Sequence, residues 1–364
     1  MLFYFLVLFF CVLLSFFITN IHAQNRKLYT RKYKIYISLA YAIPLFIVMA
    51  FRGLSVGTDT LNYARIYRMI SNTSNIFTHP YFTKFPVYMI YCKLLSYVSN
   101  DPQFNIVMNS AIIISCMMYV IVQLSETPAA SWYLYITSGL YLQAFNTARQ
   151  GLAIAVCFVA CCIIIKGNII KAVLLECIAV GIHGLAIVGI IPMIILRHQF
   201  SGKFYILIAF LVFLVSTSFQ SFMNLFVRIF PSYNGYLERE VFSTSRGNRM
   251  LTAITILFFS VFSGYFVRRG EIKKIILEDA MFRNYSFIVS IALLSMIFLR
   301  YNNMAARIEL FYLQFIILIL PQIFSLLRNN KRNKLIVEGL FYLIILVPSY
   351  ILARNFVPYV FFWQ

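Results

Sequence analysis

One short stretch of the sequence combines an arginine with a carboxylate and a tyrosine. Residues 51–70 read FRGLSVGTDTLNYARIYRMI, and Arg52, Asp59 and Tyr63 within them are candidates to contact a substrate. An arginine can bind a phosphate through two parallel hydrogen bonds, and an aspartate can accept a proton. Asp59 has a competing structural interpretation: Thr58 or Asp59 would cap the helix that the following apolar spacing predicts, or Asp59 would form a structural pair. The sequence leaves both interpretations of Asp59 open.

Two further stretches place arginine beside an apolar run. Arg149 and Gln150 open such a run in FNTARQGLA, and a charge there is costly against lipid, so we expect it to face protein or a water-filled cavity. Arg300 and Arg307 lie seven residues apart in RYNNMAARIEL, which puts them on one face if the segment is helical. With Arg52 they are candidates for a phosphate or pyrophosphate site. For any single arginine, contact with lipid headgroups is the competing explanation.

A histidine lies between two glycines inside an apolar run of residues 172–196, which is longer than one span requires. The stretch reads GIHGLA, and its glycines favour a break in the helix at His183. Ionisable residues at membrane depth are candidates for function, and a histidine can act as a general base. We therefore take His183 as the first candidate for the base and Asp59 as the second. A hydrogen-bonded packing role for the histidine remains the alternative.

The composition assigns the chain to a membrane. It has 364 residues, of which 62% are apolar and 12% charged, which excludes a soluble enzyme. Since one span takes about 20 residues, we predict an all-α polytopic membrane helix bundle of about 10–12 transmembrane helices with re-entrant or half-spanning segments. Residues 1–364 are expected to form a single integral-membrane domain. Residues 52–103 would be an outer loop with amphipathic helices, and residues 222–249 a second outer loop.

The net charge of +20 indicates anionic lipids or phosphorylated substrates as partners, and no nucleic acid, because the positive charges are scattered between apolar runs. The positive-inside rule places the lysine-rich loops in the cytoplasm. Two paths fit the middle of the chain. If residues 85–98 do not cross and residues 172–196 fold back at His183, then Arg149 lies outside and Lys166 inside. If both segments cross once, these positions are reversed.

The chemistry that such residues could do is limited by what the sequence lacks. Acidic residues are scarce in the predicted outer loops, so a glycosidase with paired carboxylates is unsupported. The sequence has no DxD-type motif and no spacing typical of a metal site. We therefore expect a site without metal or cofactor, made of arginines, one histidine and one aspartate.

Five motifs, in their order along the chain, resemble the EpsG-like, Wzy-type polysaccharide polymerases. They are FRGLSVGTDTLNY, FNTARQGLAIA, GIHGLAIVGIIP, RYNN and VPYVFF. One departure is the glycine after His183, where relatives often have serine or alanine. The resemblance implies a bundle related to the GT-C glycosyltransferases. It also implies an enzyme that joins repeat units carried on undecaprenyl pyrophosphate, at the outer face of the bacterial cytoplasmic membrane.

The resemblance also suggests a role for each candidate residue. Undecaprenyl pyrophosphate would leave as the bond breaks, so its growing negative charge requires positive groups. The expected catalytic residues are His183 and Asp59. The expected substrate- and pyrophosphate-binding residues are Arg52, Arg149, Gln150, Arg300, Arg307 and Tyr63.

The expected partners are undecaprenyl-pyrophosphate-linked oligosaccharide and membrane lipid, together with a chain-length regulator and a flippase. Two other functions compete. A flippase or transporter of lipid-linked oligosaccharide would also need a cationic cavity, but it predicts internal repeats, and the sequence shows no convincing repeat. A transferase of the O-antigen ligase type differs only in its acceptor. The sequence does not distinguish capsule, O-antigen and exopolysaccharide.

Overall fold

The computed structural model describes residues 30–198, 279–298, 303–326 and 358–364, together with a few single positions between residues 10 and 228. Most of the described residues are helical, and none of them belongs to a β-strand. The α-helices are α1 (Arg31–Ala50), α2 (Thr60–Asn72), α3 (Pro86–Ser96), α4 (Pro102–Leu124), α5 (Pro128–Thr137), α6 (Leu140–Asn146), α7 (Ala148–Ile165), α8 (Ile169–Ile182), α9 (Ile190–Arg197), α10 (Ala280–Phe298), α11 (Asn303–Leu313) and α12 (Ile316–Leu326). Two short 3-10 helices lie at Ile76–Thr78 and Gly184–Gly189.

The helices α1, α4 and α7 are long and apolar enough to cross a membrane. Together with the helical content of the described ranges, they confirm the predicted all-α polytopic membrane bundle. The helix α7 packs against α4 and α8, and α1 packs against α4. Large aromatic side chains fill the centre, where Tyr41 and Trp132 stack with their rings 6.5 Å apart.

Local sequence signals set where these helices begin and end. Proline occupies the first turn of α3, α4 and α5, where its missing N–H costs no hydrogen bond. Asp101 caps α4 by accepting a hydrogen bond of 2.9 Å from the backbone N–H of Gln103. A break at Gly139 separates α5 from α6. Gly139 has a φ of +86°, which a glycine adopts without strain.

Polar contacts define two ends of the bundle. At one, which we call the lysine end, Lys34 Nζ donates to the Ser125 carbonyl at 2.6 Å, and Lys166 Nζ donates to Gln123 Oε1 at 2.6 Å. These bonds bring together the start of α1 and the far ends of α4 and α7. The opposite end contains the last residues of α1 and the first residues of α4 and α7. We call it the arginine end, because Arg149 lies there.

The segment 169–197 forms a re-entrant hairpin. The helix α8 starts at the lysine end and stops before His183, whose backbone is extended. The chain then turns back along α8. Gly189 lies so close to this helix and to α7 that a Cβ there would be 2.5 Å from Glu176 Oε1 and 3.1 Å from Cys157 Sγ. Residue 189 is therefore level with the middle of α8, and α9 continues towards the lysine end. This hairpin is the predicted re-entrant segment, with its tip at His183.

The helix α3 does not cross the bundle. It has 11 residues, which is about 16 Å at the α-helical rise and roughly half of a hydrocarbon core. With α2 it fills the predicted outer loop 52–103. The buried residues of α2 include Ala64, Tyr67 and Ile70, and α2 packs on α3 and α4. The second predicted loop, 222–249, lies outside the described residues.

The hairpin makes a prediction about accessibility. Single cysteines placed at Asn168 and at His198, in a variant without the native cysteines, should react with a membrane-impermeant maleimide from the same side of the membrane. A cysteine at Arg65, exposed on α2, should react from the other side. Reaction of positions 168 and 198 from opposite sides would show that the segment crosses once.

Candidate functional site

Arg149 lies in the first turn of α7 and is supported by two aromatic rings. Its guanidinium carbon is 4.0 Å from the centre of the Phe85 ring and 5.9 Å from that of Tyr88. Both rings come from α3 or the residue before it. Its Nε has no hydrogen-bond partner among the described residues. The aromatic faces stabilise the positive charge without using the N–H groups that would bind an oxyanion.

Arg307, on α11, is held against the same part of α7. Gln150 Nε2 donates a hydrogen bond of 2.6 Å to the Arg307 carbonyl. This bond joins positions 157 residues apart, and it fixes the amide orientation because only the nitrogen can face a carbonyl. Gln150 Oε1 is then an acceptor with no partner among the described residues.

His183 lies at the tip of the hairpin and is 4% exposed. Arg149 and Arg307 are both close enough to interact with its imidazole electrostatically. Its Nδ1 has no hydrogen-bond partner among the described residues, so the structure does not support the packing role that hydrogen bonding would give it.

Asp59 completes this group from the residue before α2. Its carboxylate makes no capping hydrogen bond, so the helix-cap interpretation is wrong. Burial raises the pKa of Asp59, while the nearby Arg307 guanidinium and a hydrogen bond from Thr58 lower it. Asp59, Arg149, His183 and Arg307 together are called the cationic cluster below. Four separate elements therefore contribute one residue each.

The loop that carries Asp59 is fixed to the junction between α6 and α7. Asn146 Oδ1 accepts a hydrogen bond of 2.8 Å from the backbone N–H of Thr58. Gly57 has a φ of +94°, and a Cβ there would lie 2.9 Å from the Phe145 carbonyl oxygen. Only glycine allows both this backbone conformation and this close approach.

Arg52 is placed differently from the other arginines. It is 2% exposed, donates to the Met49 carbonyl and stacks 4.7 Å above the Phe145 ring. The last residues of the chain cover it, since Gly53 N–H donates to the Val360 carbonyl at 2.8 Å. Arg52 is therefore buried against Phe145, which lies four residues before Arg149 in the sequence.

The remaining candidates differ in what the structure says of them. Tyr63 is one turn after Asp59 and close enough to Tyr88, beneath Arg149, to interact with it electrostatically. Arg300 lies outside the described residues. In the part of the chain that is described, no group of three or more His, Cys, Asp or Glu side chains could hold a metal ion.

The sequence did not single out the aromatic support of Arg149. Aromatic residues make up 18% of the chain, so Phe85 and Tyr88 carry no signal of their own. It also gave no role to Glu176, which is 3% exposed and whose carboxylate lies beside the Cys157 thiol. Its signal was available, because an acid inside an apolar run is a candidate for function.

A family model described as the EpsG family matches residues 34–361. The matched range includes all four residues of the cationic cluster. A search of curated proteins found no match, and a search of solved structures found none either.

The loop contact predicts a difference between two glycines. An alanine with a left-handed backbone costs about 1–3 kcal/mol of strain. Gly57→Ala should lower the free energy of unfolding by more than this, because the new Cβ also clashes with the Phe145 carbonyl. Gly167→Ala is the matched control, with a similar φ of +86° and nothing within 4 Å of the new Cβ. Thermal unfolding of the purified variants in detergent measures both. Equal melting temperatures would contradict the close contact.

Proposed function

We propose, because the chain belongs to the EpsG family, that it polymerises oligosaccharide repeat units carried on undecaprenyl pyrophosphate. EpsG is a family of Wzy-like polysaccharide polymerases. The observation that supports the proposal is the cationic cluster, which brings two guanidinium groups, an imidazole and a carboxylate together. The reaction is a glycosyl transfer that requires no metal.

The arginines of the cationic cluster would act on the group that leaves when the glycosidic bond of the donor breaks. A hydroxyl of the acceptor repeat attacks the anomeric carbon of the donor chain, forming the new glycosidic bond. The bond from that carbon to the pyrophosphate oxygen breaks, and the leaving group gains negative charge. Arg149 and Arg307 stabilise that charge more strongly in the transition state than in the bound substrate, which accelerates the step. Gln150 positions Arg307, and Tyr63 contacts the substrate beside them.

The proton of the attacking hydroxyl goes to a base. His183 is the first choice, because its Nδ1 is unpartnered among the described residues and its imidazole interacts electrostatically with both arginines. Asp59 is the second choice, since its half-buried carboxylate lies beside Arg307. The residue that does not take the proton would position Arg307 or the acceptor.

The proposed reaction takes place at the outer face of the membrane and involves two partner proteins. The arginine end faces the periplasm or exterior of the bacterial cytoplasmic membrane, because the lysine-rich loops are retained in the cytoplasm. The substrate is then a lipid-linked oligosaccharide that a flippase has delivered to the outer leaflet. A chain-length regulator would set how many units are joined.

The first prediction from this function concerns glycan length. Deletion of the protein should reduce the surface glycan from a ladder to a single capped repeat unit, with export continuing. Arg149→Ala should give the same result with activity lowered about 10²–10³-fold, as expected for one lost oxyanion-stabilising group. Arg65→Ala, an exposed arginine on α2, is the control and should keep the full ladder.

Electrophoresis of the surface glycan separates the alternatives. Loss of all surface glycan, with lipid-linked repeats accumulating inside, would indicate a flippase. Long lipid-linked chains that are no longer attached to their final acceptor would indicate a ligase. A normal ladder in Arg149→Ala would show that Arg149 is not part of the pyrophosphate clamp.

The second prediction concerns pH. Protonation of Asp59 removes the negative charge beside Arg307, and burial raises the pKa of this carboxyl above its ordinary value. Polymerisation in membrane vesicles should therefore fall on acidification, at a higher pH than an exposed aspartate would give. Asp59→Asn lacks the negative charge at every pH, so it should have the lowered activity throughout and no acid limb. If His183→Ala is fully active while Asp59→Asn is inactive, the two roles are exchanged.

A further inference from the structure

A series of aromatic rings leads from Arg149 to the surface of the protein. The Arg149 guanidinium carbon lies 4.0 Å from the centre of the Phe85 ring, and the centre of the Tyr81 ring lies 5.5 Å from the same point. The Tyr81 ring is therefore no further from the guanidinium carbon than these two distances together. Phe85 is buried, whereas Tyr81 is 39% exposed. Tyr81 is thus an exposed aromatic surface close to the cationic cluster.

The loop that carries Tyr81 is held in a defined shape. The backbone N–H of Tyr81 donates a hydrogen bond of 3.2 Å to His79 Nδ1, and its carbonyl accepts one of 3.2 Å from the backbone N–H of Phe85. The side chains of Ile76 and Phe85, before and after Tyr81, are both buried. A ligand therefore meets a ring whose position is already fixed, which lowers the entropy cost of binding.

The surroundings of the Tyr81 ring combine an aromatic face with polar groups. Lys84 Nζ lies 5.6 Å from the centre of the ring, and the side chains of Thr83 and Lys84 are exposed. A pyranose ring has a face of C–H groups, which packs on an aromatic ring, and a rim of hydroxyls. Those hydroxyls can accept hydrogen bonds from an ammonium group and donate to a threonine hydroxyl. The loop therefore matches both surfaces of a sugar ring.

We propose that Tyr81 and Lys84 form a saccharide subsite for the lipid-linked substrate. The pyrophosphate binds at Arg149 and Arg307, and a sugar ring of the attached oligosaccharide stacks on Tyr81, with its hydroxyls towards Lys84. No bond forms or breaks at Tyr81, so its contribution is to binding. This inference rests on the proposed function for the pyrophosphate at the arginines, and on the loop for the sugar.

Contact with the lipid headgroup region is the competing explanation for an exposed tyrosine in a membrane protein. Tyr97 is a matched comparison, because it is 75% exposed and Lys93 Nζ lies 5.6 Å from the centre of its ring. Tyr97 follows the last turn of α3, whereas Phe85 precedes the first. Anchoring in the headgroup region would involve both tyrosines, but only Tyr81 contacts the ring that supports Arg149.

The test measures binding to the full-length protein in lipid nanodiscs with two probes. One is the lipid-linked repeat extracted from cells that lack the protein, and the other is undecaprenyl pyrophosphate, which carries no sugar. Tyr81→Ala should weaken binding of the lipid-linked repeat about tenfold, as expected for one lost stacking contact, and leave undecaprenyl pyrophosphate binding unchanged. Tyr81→Trp should restore the affinity. Arg149→Ala should weaken binding of both probes, and Tyr97→Ala should affect neither.

Each outcome bears on one proposal. Unchanged binding of the lipid-linked repeat by Tyr81→Ala, an equal loss in Tyr97→Ala, or an equal loss for the sugar-free probe would overturn the saccharide subsite. Polymerisation of the same repeats by the wild type tests the proposed function separately. In an active polymerase, Tyr81→Ala should raise KM with kcat unchanged. Binding that depends on Tyr81 in a protein that never extends the repeats would refute only the proposed function.

Discussion

A guanidinium group inside an apolar bundle is stable only when protein groups replace the water around it. Arg149 meets this requirement by lying 4.0 Å above the Phe85 ring, and the architecture of the arginine end follows from that contact. The ring is held at the start of α3, so this short helix must pack inside the bundle instead of crossing it. The ring stabilises the charge from one face, and this contact does not use the N–H groups of Arg149.

The re-entrant hairpin brings the histidine to this charge. A helix that crossed once would leave His183 partway along a span, whereas the turn places it at a tip beside Arg149 and Arg307. The close approach of Gly189 to Glu176 requires a residue without a side chain at that point. The hairpin thereby fixes the position of His183 relative to both arginines.

Long-range contacts fix the loop between α1 and α2 in the same way. The last residues of the chain pair with it, as Phe362 N–H donates to the Phe51 carbonyl at 3.0 Å, and Asn146 holds Thr58. Arg52 is buried by these contacts and carries its charge against Phe145. Its role in the structure is to support the α6–α7 junction, from which Arg149 projects.

The amino-acid sequence alone predicts the membrane bundle, the break at His183 and all four residues of the cationic cluster as candidates. Apolar runs, flanking glycines and charges inside apolar segments are local signals, and each reflects the cost of exposing or burying a group where it lies along the chain. The short length of α3, the burial of Arg52 and the support of Arg149 by Phe85 become visible only in the folded chain. These facts depend on packing between elements far apart in the chain, which no local pattern records. Gln150 and the Arg307 carbonyl are 157 residues apart, so their hydrogen bond exists only because the helices between them fold back on one another.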